Sequence, residues 1–335
     1  MMAQQDAVPA LSVVVPCFNE TEVLGELYRR VSAVCQSLFG NDYELILVDD
    51  GSRDGTREAI GRLAKQDDCV VGVVLSRNHG HQLALTAGLR VCRGRRILII
   101  DADLQDPPEL LADMLPHLEN GADVVYGKRV HRDGETAFKR GTASLFYRLL
   151  DRLVDIDIPR DTGDFRLMSR RALDIFNAMP EQHRFVRGMV SWIGLRQVAF
   201  PYHRQPRVAG ETKYPLSKML RFAADAITGF SIQPLRLALL MGAVFGGAGL
   251  VMLLYTLVVW ASGATIAGWT SLMVIVLLLG STQLFVLGVM GEYLGRLYME
   301  AKRRPLFVIE EILTSSSKSQ CATVRGKSLA AEAGS

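Results

Sequence analysis

The sequence lacks the features that mark several common classes of protein. Its 335 residues carry a formal net charge of only +3, which gives no support to nucleic-acid binding. Its five cysteines form no CxxC pair and have no metal-ligand spacing, so they indicate reduced thiols in a cytosolic domain. Since no basic segment followed by an apolar run opens the chain, we expect no cleaved signal peptide.

Glycine-rich phosphate-binding loops are also missing. No GxGxxG follows the first strand-like run, and GxxxxGK[ST] occurs nowhere. If this chain binds a nucleotide, its phosphates must therefore be held by some other means.

The N-terminal part alternates short β-branched runs with segments of helical periodicity. The strand-like runs are residues 11–16, 43–49, 69–76, 96–101 and 122–127. They recur about every 27 residues, which is the spacing of βαβ units in a parallel sheet that helices cover on both faces. We therefore predict an α/β domain over residues 1–215, in which residues 161–176 form a turn leading into a helix.

Two long apolar segments without charge follow, at residues 237–260 and 269–291. As a helix, the first would span roughly 36 Å, enough for a bilayer core of ~30 Å. We predict transmembrane helices at 236–260 and 269–292. Residues 216–235 are predicted to form an amphipathic helix on the membrane surface, although their pattern also suits an ordinary surface helix.

The distribution of Lys and Arg predicts the orientation of this hairpin. Both are absent from residues 237–295 and present on either side. The positive-inside rule places both flanks and both termini in the cytoplasm and the link at 261–268 outside, in a cytoplasmic (inner) membrane. Residues 293–313 are then a cytoplasmic segment, and residues 314–335, poor in bulky apolar residues, are predicted to be disordered.

Polar side chains stand at the ends of three predicted strands, where a parallel sheet gathers its ligands. These side chains are Pro16, Asn19 and Glu20 after the first strand, Asp49, Asp50 and Ser52 after the second, and Asp101, Asp103 and Gln105 after the fourth. Because acids alone would repel a diphosphate, we expect a divalent cation, Mg²⁺ or Mn²⁺, bound by Asp101 and Asp103 with Gln105 completing the shell.

Several of these residues have ordinary alternatives. Asp50 suits the capping of a turn as well as contact with a ligand. Asp106, which precedes two prolines, is predicted to cap the next helix. His79 and His81 are better explained as polar residues at the start of a helix than as metal ligands.

Five motifs together resemble the family 2 glycosyltransferases of the GT-A fold: VVPCFNE, VDDGSRDGT, LSRNHGHQLALTAGL, DADLQDPPE and GDFRLMSR. Within them, the chain is similar to the polyprenyl-phosphate sugar transferases, the dolichyl-phosphate mannose synthase-like branch. Bacterial members with two C-terminal spans, such as undecaprenyl-phosphate glucosyltransferases and the aminoarabinose transferase, are the most similar. The resemblance covers roughly residues 10–310.

The resemblance implies inverting transfer of one sugar, with glucose from UDP-glucose favoured, to polyprenyl phosphate at the cytoplasmic membrane face. The nucleotide-sugar residues that it implies are Pro16, Asn19, Glu20, Asp49, Asp50, Ser52 and Asp101, and the metal ligands are Asp101, Asp103 and Gln105. The catalytic set is Asp103, Asp164, Arg129 and Arg140. Asp164 would orient the donor or acceptor, with capping of the following helix as the alternative.

Basic residues provide candidates for binding the acceptor phosphate. Arg207 and Lys213 lie just before the predicted membrane-surface helix, so we expect them to meet the lipid phosphate. Arg129 and Arg140 are the alternative for this role, and solvated surface charge is the default for each basic residue taken singly.

Other functions remain open for this sequence. They are the same reaction with an aminoarabinose, N-acetylglucosamine or mannose donor, a processive polysaccharide synthase, and a non-catalytic nucleotide-sugar-binding scaffold. The missing QxxRW motif argues against the synthase, and the intact DAD motif argues against the scaffold. Small residues at 242–249 would permit close helix packing, which makes a homotetramer one form that the chain could take.

Overall fold

The computed structural model describes residues 8–130, 159, 162–204, 231–263 and 268–315. These residues fall into two compact units. The sheet unit contains residues 8–130, 159, 162–204 and 304–315, and the hairpin unit contains residues 231–263 and 268–303.

The sheet unit alternates strands and helices as predicted. Its strands are β1 (Leu11–Cys17), β2 (Tyr43–Asp49), β3 (Val70–Leu75), β4 (Arg96–Ile99), β5 (Val124–Arg129), β6 (Thr162–Ser169), β7 (Gln197–Tyr202) and β8 (Ile309–Leu313). Its α-helices are α1 (Thr21–Phe39), α2 (Thr56–Gln66), α3 (His81–Val91), α4 (Leu111–Glu119), α5 (Arg170–Ala178) and α6 (Val186–Trp192), with a 3-10 turn at Pro108–Leu110.

The strands form one mixed sheet in the order β7-β5-β6-β4-β1-β2-β3-β8. Strands β1 to β4 are parallel, in the order β4-β1-β2-β3, and β5 is parallel to β7. Strands β6 and β8 are antiparallel to their neighbours. The predicted class, a mostly parallel α/β sheet, is therefore confirmed.

Both faces of the central strands are covered. Leu11, Val13 and Val15 of β1 join a buried cluster with α1 and α2. Val14 points to the other face, where α3 approaches so closely that a Cβ atom at Gly88 would overlap it. Because both faces are buried, most residues of β1, β2 and β3 are apolar.

The turn predicted at the start of residues 161–176 is wrong, because Thr162–Ser169 forms β6. The helix predicted to follow it is confirmed as α5 (Arg170–Ala178). This strand lies between β4 and β5, so β5 does not adjoin β4. Its polar character hid the strand pattern. Asp164 and Arg166 are buried there, and Arg166 donates to the main-chain oxygens of Gly163 and Asp164 at 3.1 and 3.2 Å.

The hairpin unit consists of two packed helices, α7 (Gln233–Ala261) and α8 (Trp269–Ala301). Both are long and apolar enough to cross a membrane, with mean hydropathies of 2.3 and 1.7 over their candidate spans. Helix α8 continues to Ala301, beyond the predicted end of the span at residue 292. The predicted membrane-surface helix lies outside the described residues up to residue 230, and its last residues, 233–235, belong to α7.

After α8 the chain returns to the sheet. Strand β8 pairs antiparallel with β3, and the Ser76 amide donates to the Val308 carbonyl at 3.0 Å. Arg57 of α2 donates to Glu310 at 3.1 Å and Glu311 at 3.2 Å. The predicted cytoplasmic segment at 293–313 therefore contains the end of α8 and one strand of the sheet, while residues 316–335 of the predicted tail lie outside the described residues.

Candidate functional site

The tips of β1 and β2 are tied together by polar side chains. The Asn19 amide donates to Ser52 Oγ at 3.0 Å, and Asn19 Oδ1 accepts from the Arg53 amide at 2.9 Å. Asn19 has a φ of 55°, a left-handed conformation that asparagine tolerates better than most residues. Asp49 Oδ1 accepts from the Ser52 amide at 3.2 Å. The structure therefore brings Asn19, Asp49 and Ser52 together, as the sequence predicted.

The other two residues predicted at the end of β1 differ in position. Pro16 is buried within β1, where it pairs with Val48 of β2. Glu20 precedes α1, and its amide donates to Thr56 Oγ1 at 2.9 Å. Glu20 thus lies at the rim of the sheet, whereas Pro16 forms part of the strand behind it.

Asp50 anchors a neighbouring loop. Its two carboxylate oxygens accept from the amides of His79 at 2.7 Å and Gly80 at 2.9 Å. Burial raises the pKa of Asp50, although these two hydrogen bonds oppose the rise. The loops are in close contact, since a Cβ atom at Gly51 would lie 2.6 Å from the Asn78 amide nitrogen. Asp50 therefore positions the segment that leads into α3.

The acidic loop after β4 alternates between the surface and the interior. Asp101, Asp103 and Gln105 are half-buried, whereas Ala102 and Leu104 are buried. The Gln105 amide donates to Asp103 Oδ1 at 3.1 Å. Between these two residues Leu104 adopts a φ of 57°, which favours glycine. The three predicted metal ligands thus alternate with two buried residues, and the backbone is strained at Leu104.

Asp106 does not cap the helix that follows it, so that prediction is wrong. The 3-10 turn is preceded by Pro107 and has no side-chain cap. Asp106 is fully buried and accepts a short hydrogen bond from the Tyr202 hydroxyl of β7. Its role is to hold the acidic loop against β7.

His81, Asp101 and Asp164 form a group that could hold a metal ion, with ligand atoms all within 4.8 Å of one another. His81 Nε2 lies 3.5 Å from Asp101 Oδ1 and 3.2 Å from Asp164 Oδ2. Asp101 Oδ1 is buried and has no hydrogen-bond partner in the described part of the chain. Burial raises the pKa of Asp101 to about 6, and His81 opposes the rise while three nearby carboxylates add to it. A cation would relieve this repulsion, so the donors present fit a divalent ion.

Asp164 lies on β6 and is surrounded by donors. Arg187 Nε donates to Oδ1 at 2.9 Å, and Gln82 Nε2 donates to Oδ2 at 3.1 Å. Burial by itself raises the pKa of Asp164. The charges of Arg187 and Arg166 and the hydrogen bond from His81 nevertheless hold this pKa well below its usual range. Of the three ligands in the group, Asp164 is therefore already the most fully engaged.

The alternative role for Asp164, as a helix cap, is wrong. The N-cap of α5 is Ser169, whose hydroxyl accepts from the Ala172 amide at 3.1 Å. Asp164 instead sits within the strand, several residues before the helix begins.

Of the predicted basic residues, Arg129 lies beside β6. Its Nη2 is 2.6 Å from the position that a Cβ atom at Gly163 would occupy, and its Nε donates to Tyr202 at 3.5 Å. Arg204 lies 3.7 Å from Asp103 Oδ2. The remaining three, Arg140, Arg207 and Lys213, lie outside the described residues.

Sequence reasoning missed three members of this site. His81 and Gln82 lie in a motif that was recognised, but nothing local distinguished them from residues that open a helix. Arg187 lies in a segment without any recognisable pattern. It reaches Asp164 only because α6 packs beside β6.

Two family models match the chain. The model for glycosyl transferase family 2 matches residues 12–176, and the model for the GtrB C-terminal hairpin matches residues 233–297. The second match covers most of α7 and α8. A hairpin of this kind, built of two helices that could cross a membrane, indicates a membrane-associated protein.

The chain is similar to curated proteins over nearly its whole length. It is 48% identical to the glycosyltransferase YkcC of Bacillus subtilis (strain 168), over 90% of this chain and 93% of that protein. It is 38% identical to the prophage bactoprenol glucosyl transferase homolog of Escherichia coli (strain K12), over 90% of this chain and 99% of that protein. Among solved structures, the mannosyltransferase PcManGT from Pyrobaculum calidifontis is 18% identical, with a TM-score of 0.45 over 86% of this chain and 88% of that one.

Proposed function

The chain belongs to glycosyl transferase family 2, and from this premise we propose that it transfers one glucose from UDP-glucose to a polyprenyl phosphate. The observation that carries the proposal is the 38% identity to bactoprenol glucosyl transferases, because it covers 90% of this chain and so includes both the sheet unit and the hairpin. We expect the reaction to invert the anomeric centre, since the acceptor phosphate would attack opposite the leaving diphosphate.

The acidic loop supports a metal-dependent reaction. Asp101, with its buried unpartnered oxygen, would hold Mg²⁺ or Mn²⁺ together with His81 or with Asp103 and Gln105. When bound, such an ion neutralises the negative charge that grows on the leaving diphosphate. Arg204, 3.7 Å from Asp103, contributes a positive charge to the same region.

The tips of β1 and β2 support binding of the nucleotide. Asp49, Asn19 and Ser52 converge there, and we assign to Asp49 a contact with the uracil or ribose. The hydrogen bonds of Asn19 with Ser52 and with the Arg53 amide would keep this edge rigid before the donor arrives. Asp50 would act indirectly, because both of its oxygens already accept main-chain amides.

The acceptor requires little activation. A phosphate monoester is already anionic near neutral pH, so it does not need a strong general base. Asp164 fits an orienting role better than proton transfer, because donors already engage both of its oxygens. Arg207 and Lys213 are the residues that we propose for the lipid phosphate, with Arg129 and Arg140 as the alternative.

The return of β8 to the sheet supports a hairpin topology. Strand β8 pairs with β3, so the chain on both sides of the hairpin unit belongs to one sheet. Because one sheet lies on one side of a membrane, this pairing supports an even number of crossings between residues 204 and 309, and we propose α7 and α8 as two of them. The distribution of Lys and Arg would place the sheet in the cytoplasm. The predicted homotetramer stays a prediction.

The test is an assay of the purified protein with undecaprenyl phosphate, a panel of nucleotide sugars, and Mg²⁺ or Mn²⁺. We expect UDP-glucose to give a lipid-phosphate-linked monosaccharide, and EDTA to abolish the product. A polymeric product would instead indicate a processive synthase. Binding of UDP-sugars without any turnover would indicate a non-catalytic scaffold.

A further inference from the structure

Gln82, in the first turn of α3, is hydrogen-bonded at both ends of its side chain. Its Nε2 donates to Asp164 Oδ2 at 3.1 Å, and its Oε1 accepts from the Val186 amide at 3.0 Å. The orientation of the carboxamide follows from its partners, because an ionised carboxylate only accepts and a main-chain amide only donates. One side chain therefore connects α3, β6 and α6.

The contact with Val186 fixes the start of α6. Val186 is the first residue of this helix, and the preceding residue, Phe185, provides no side-chain cap. Gln82 thus takes the place of a capping residue for an amide that the helix itself cannot satisfy. The next residue, Arg187, donates to the other oxygen of Asp164 at 2.9 Å.

We propose that Gln82 is a positioning residue for the transfer reaction. By binding both the Asp164 carboxylate and the first turn of α6, it fixes the position of Arg187 relative to Asp164. This inference rests on the proposed function for its kinetic consequence. His81, which precedes Gln82 in the chain, lies 3.2 Å from the same oxygen of Asp164, so the position of Gln82 also affects the group beside Asp101.

Two substitutions distinguish the two hydrogen bonds of the Gln82 side chain, which together form a bridge between Asp164 and Val186. Gln82→Glu keeps an acceptor for the Val186 amide but loses the donor to Asp164. Gln82→Met has a similar length and loses both contacts. Gln197→Met is the matched control, because Gln197 donates to the Val190 carbonyl of α6 at 2.8 Å and, within the described residues, makes no hydrogen bond to Asp164.

The experiment measures steady-state transfer of glucose from UDP-glucose to undecaprenyl phosphate by the full-length protein, together with UDP affinity by calorimetry. We expect both Gln82 variants to lower kcat at least about tenfold, the size of effect for a lost hydrogen bond to a charged group. The KM for UDP-glucose and the affinity for UDP should stay within about threefold of wild type. Gln197→Met should keep kcat within about threefold of wild type.

Hydrogen–deuterium exchange provides a readout that does not depend on activity. The peptide containing Val186 should lose protection in Gln82→Met and keep it in Gln82→Glu. Equal protection in both variants, or loss in both, would overturn the bridge. The exchange experiment tests the hydrogen bond between Gln82 and Val186 even if the wild-type protein transfers no sugar. In that case the proposed function fails separately.

Three kinetic results would overturn the positioning role. The first is a kcat for Gln82→Glu within about threefold of wild type. The second is an equal loss of kcat in Gln197→Met, which would show that kcat falls whenever any contact of α6 is removed. The third is a parallel collapse of UDP affinity, which would make Gln82 part of the donor site.

Discussion

Replacing Asp50 by Asn should destabilise the sheet unit rather than remove a contact with the nucleotide. In the structure Asp50 is buried, and its two oxygens accept from the amides of His79 at 2.7 Å and Gly80 at 2.9 Å. Asn retains one acceptor but places an amide group opposite the other main-chain donor. One buried N–H group is then left without a partner.

The magnitude follows from the main-chain donor that loses its acceptor. A buried N–H group without a partner costs ~1–3 kcal/mol, so Asp50→Asn should lower the free energy of unfolding by about that amount. For a unit of this size, each 1 kcal/mol shifts Tm by roughly 2–4 °C, so the expected loss is about 2–12 °C. Asp50→Ala removes both acceptors and should cost roughly twice as much free energy.

Thermal unfolding followed by circular dichroism measures the loss, with UDP affinity measured at a temperature where both proteins are folded. Asp54→Asn is the matched control. Asp54 also accepts two main-chain amides, from Thr21 and Thr56 at 3.1 Å each, but it is exposed, so water can replace the lost acceptor. We expect its Tm to fall by less than that of Asp50→Asn.

The opposite pattern would refute this reasoning. If Asp50→Asn leaves Tm within about 1 °C of wild type while UDP affinity falls more than about tenfold, the carboxylate of Asp50 binds the nucleotide directly. The loop after β3 would then be held by other contacts.

Three further predictions follow from the proposed function. Asp103→Asn should lower kcat at least about 100-fold with the fold intact, whereas exposed Asp113→Asn should have little effect; normal turnover of the wild type in EDTA would exclude a metal-dependent reaction. Arg207→Ala and Lys213→Ala should each lower kcat/KM for polyprenyl phosphate roughly 10- to 150-fold while UDP affinity changes much less; unchanged lipid kinetics would move the phosphate to other basic residues. A reporter at the C terminus should be active only in the cytoplasm, and activity only outside it would contradict the hairpin.

Local patterns in the sequence were sufficient for strands β1 to β5 and the two apolar helices, but not for β7, which is parallel to β5. Most residues of β1 to β4 are apolar because both faces are buried, and this burial is visible as short runs rich in apolar and β-branched residues. Helices α7 and α8 are visible for a similar reason, since a lipid-facing helix needs a long stretch without charge. The acidic strand tips were also recognisable, because the ends of parallel strands meet at one edge.

The position of β6 and β8 depended on the tertiary structure. Strand β6 contains Asp164 and Arg166. The free-energy cost of burying these charged side chains is offset only by hydrogen-bond partners that the fold brings close to them. Strand β8 pairs with β3, although the hairpin lies between them in the sequence. No local pattern predicts a pairing between residues so far apart along the chain. The sequence predicted a plain cytoplasmic segment there.

The same division applies to the site. The sequence by itself determined that Asp101 and Asp103 end a buried strand, because a strand tip is a local feature. Only the tertiary structure decided that His81 and Gln82 meet Asp164, and that Arg187 meets it from another helix. Hydrogen bonds of this kind join residues that are far apart in sequence, and they form only where the packing of helices and strands places donor and acceptor within about 3 Å.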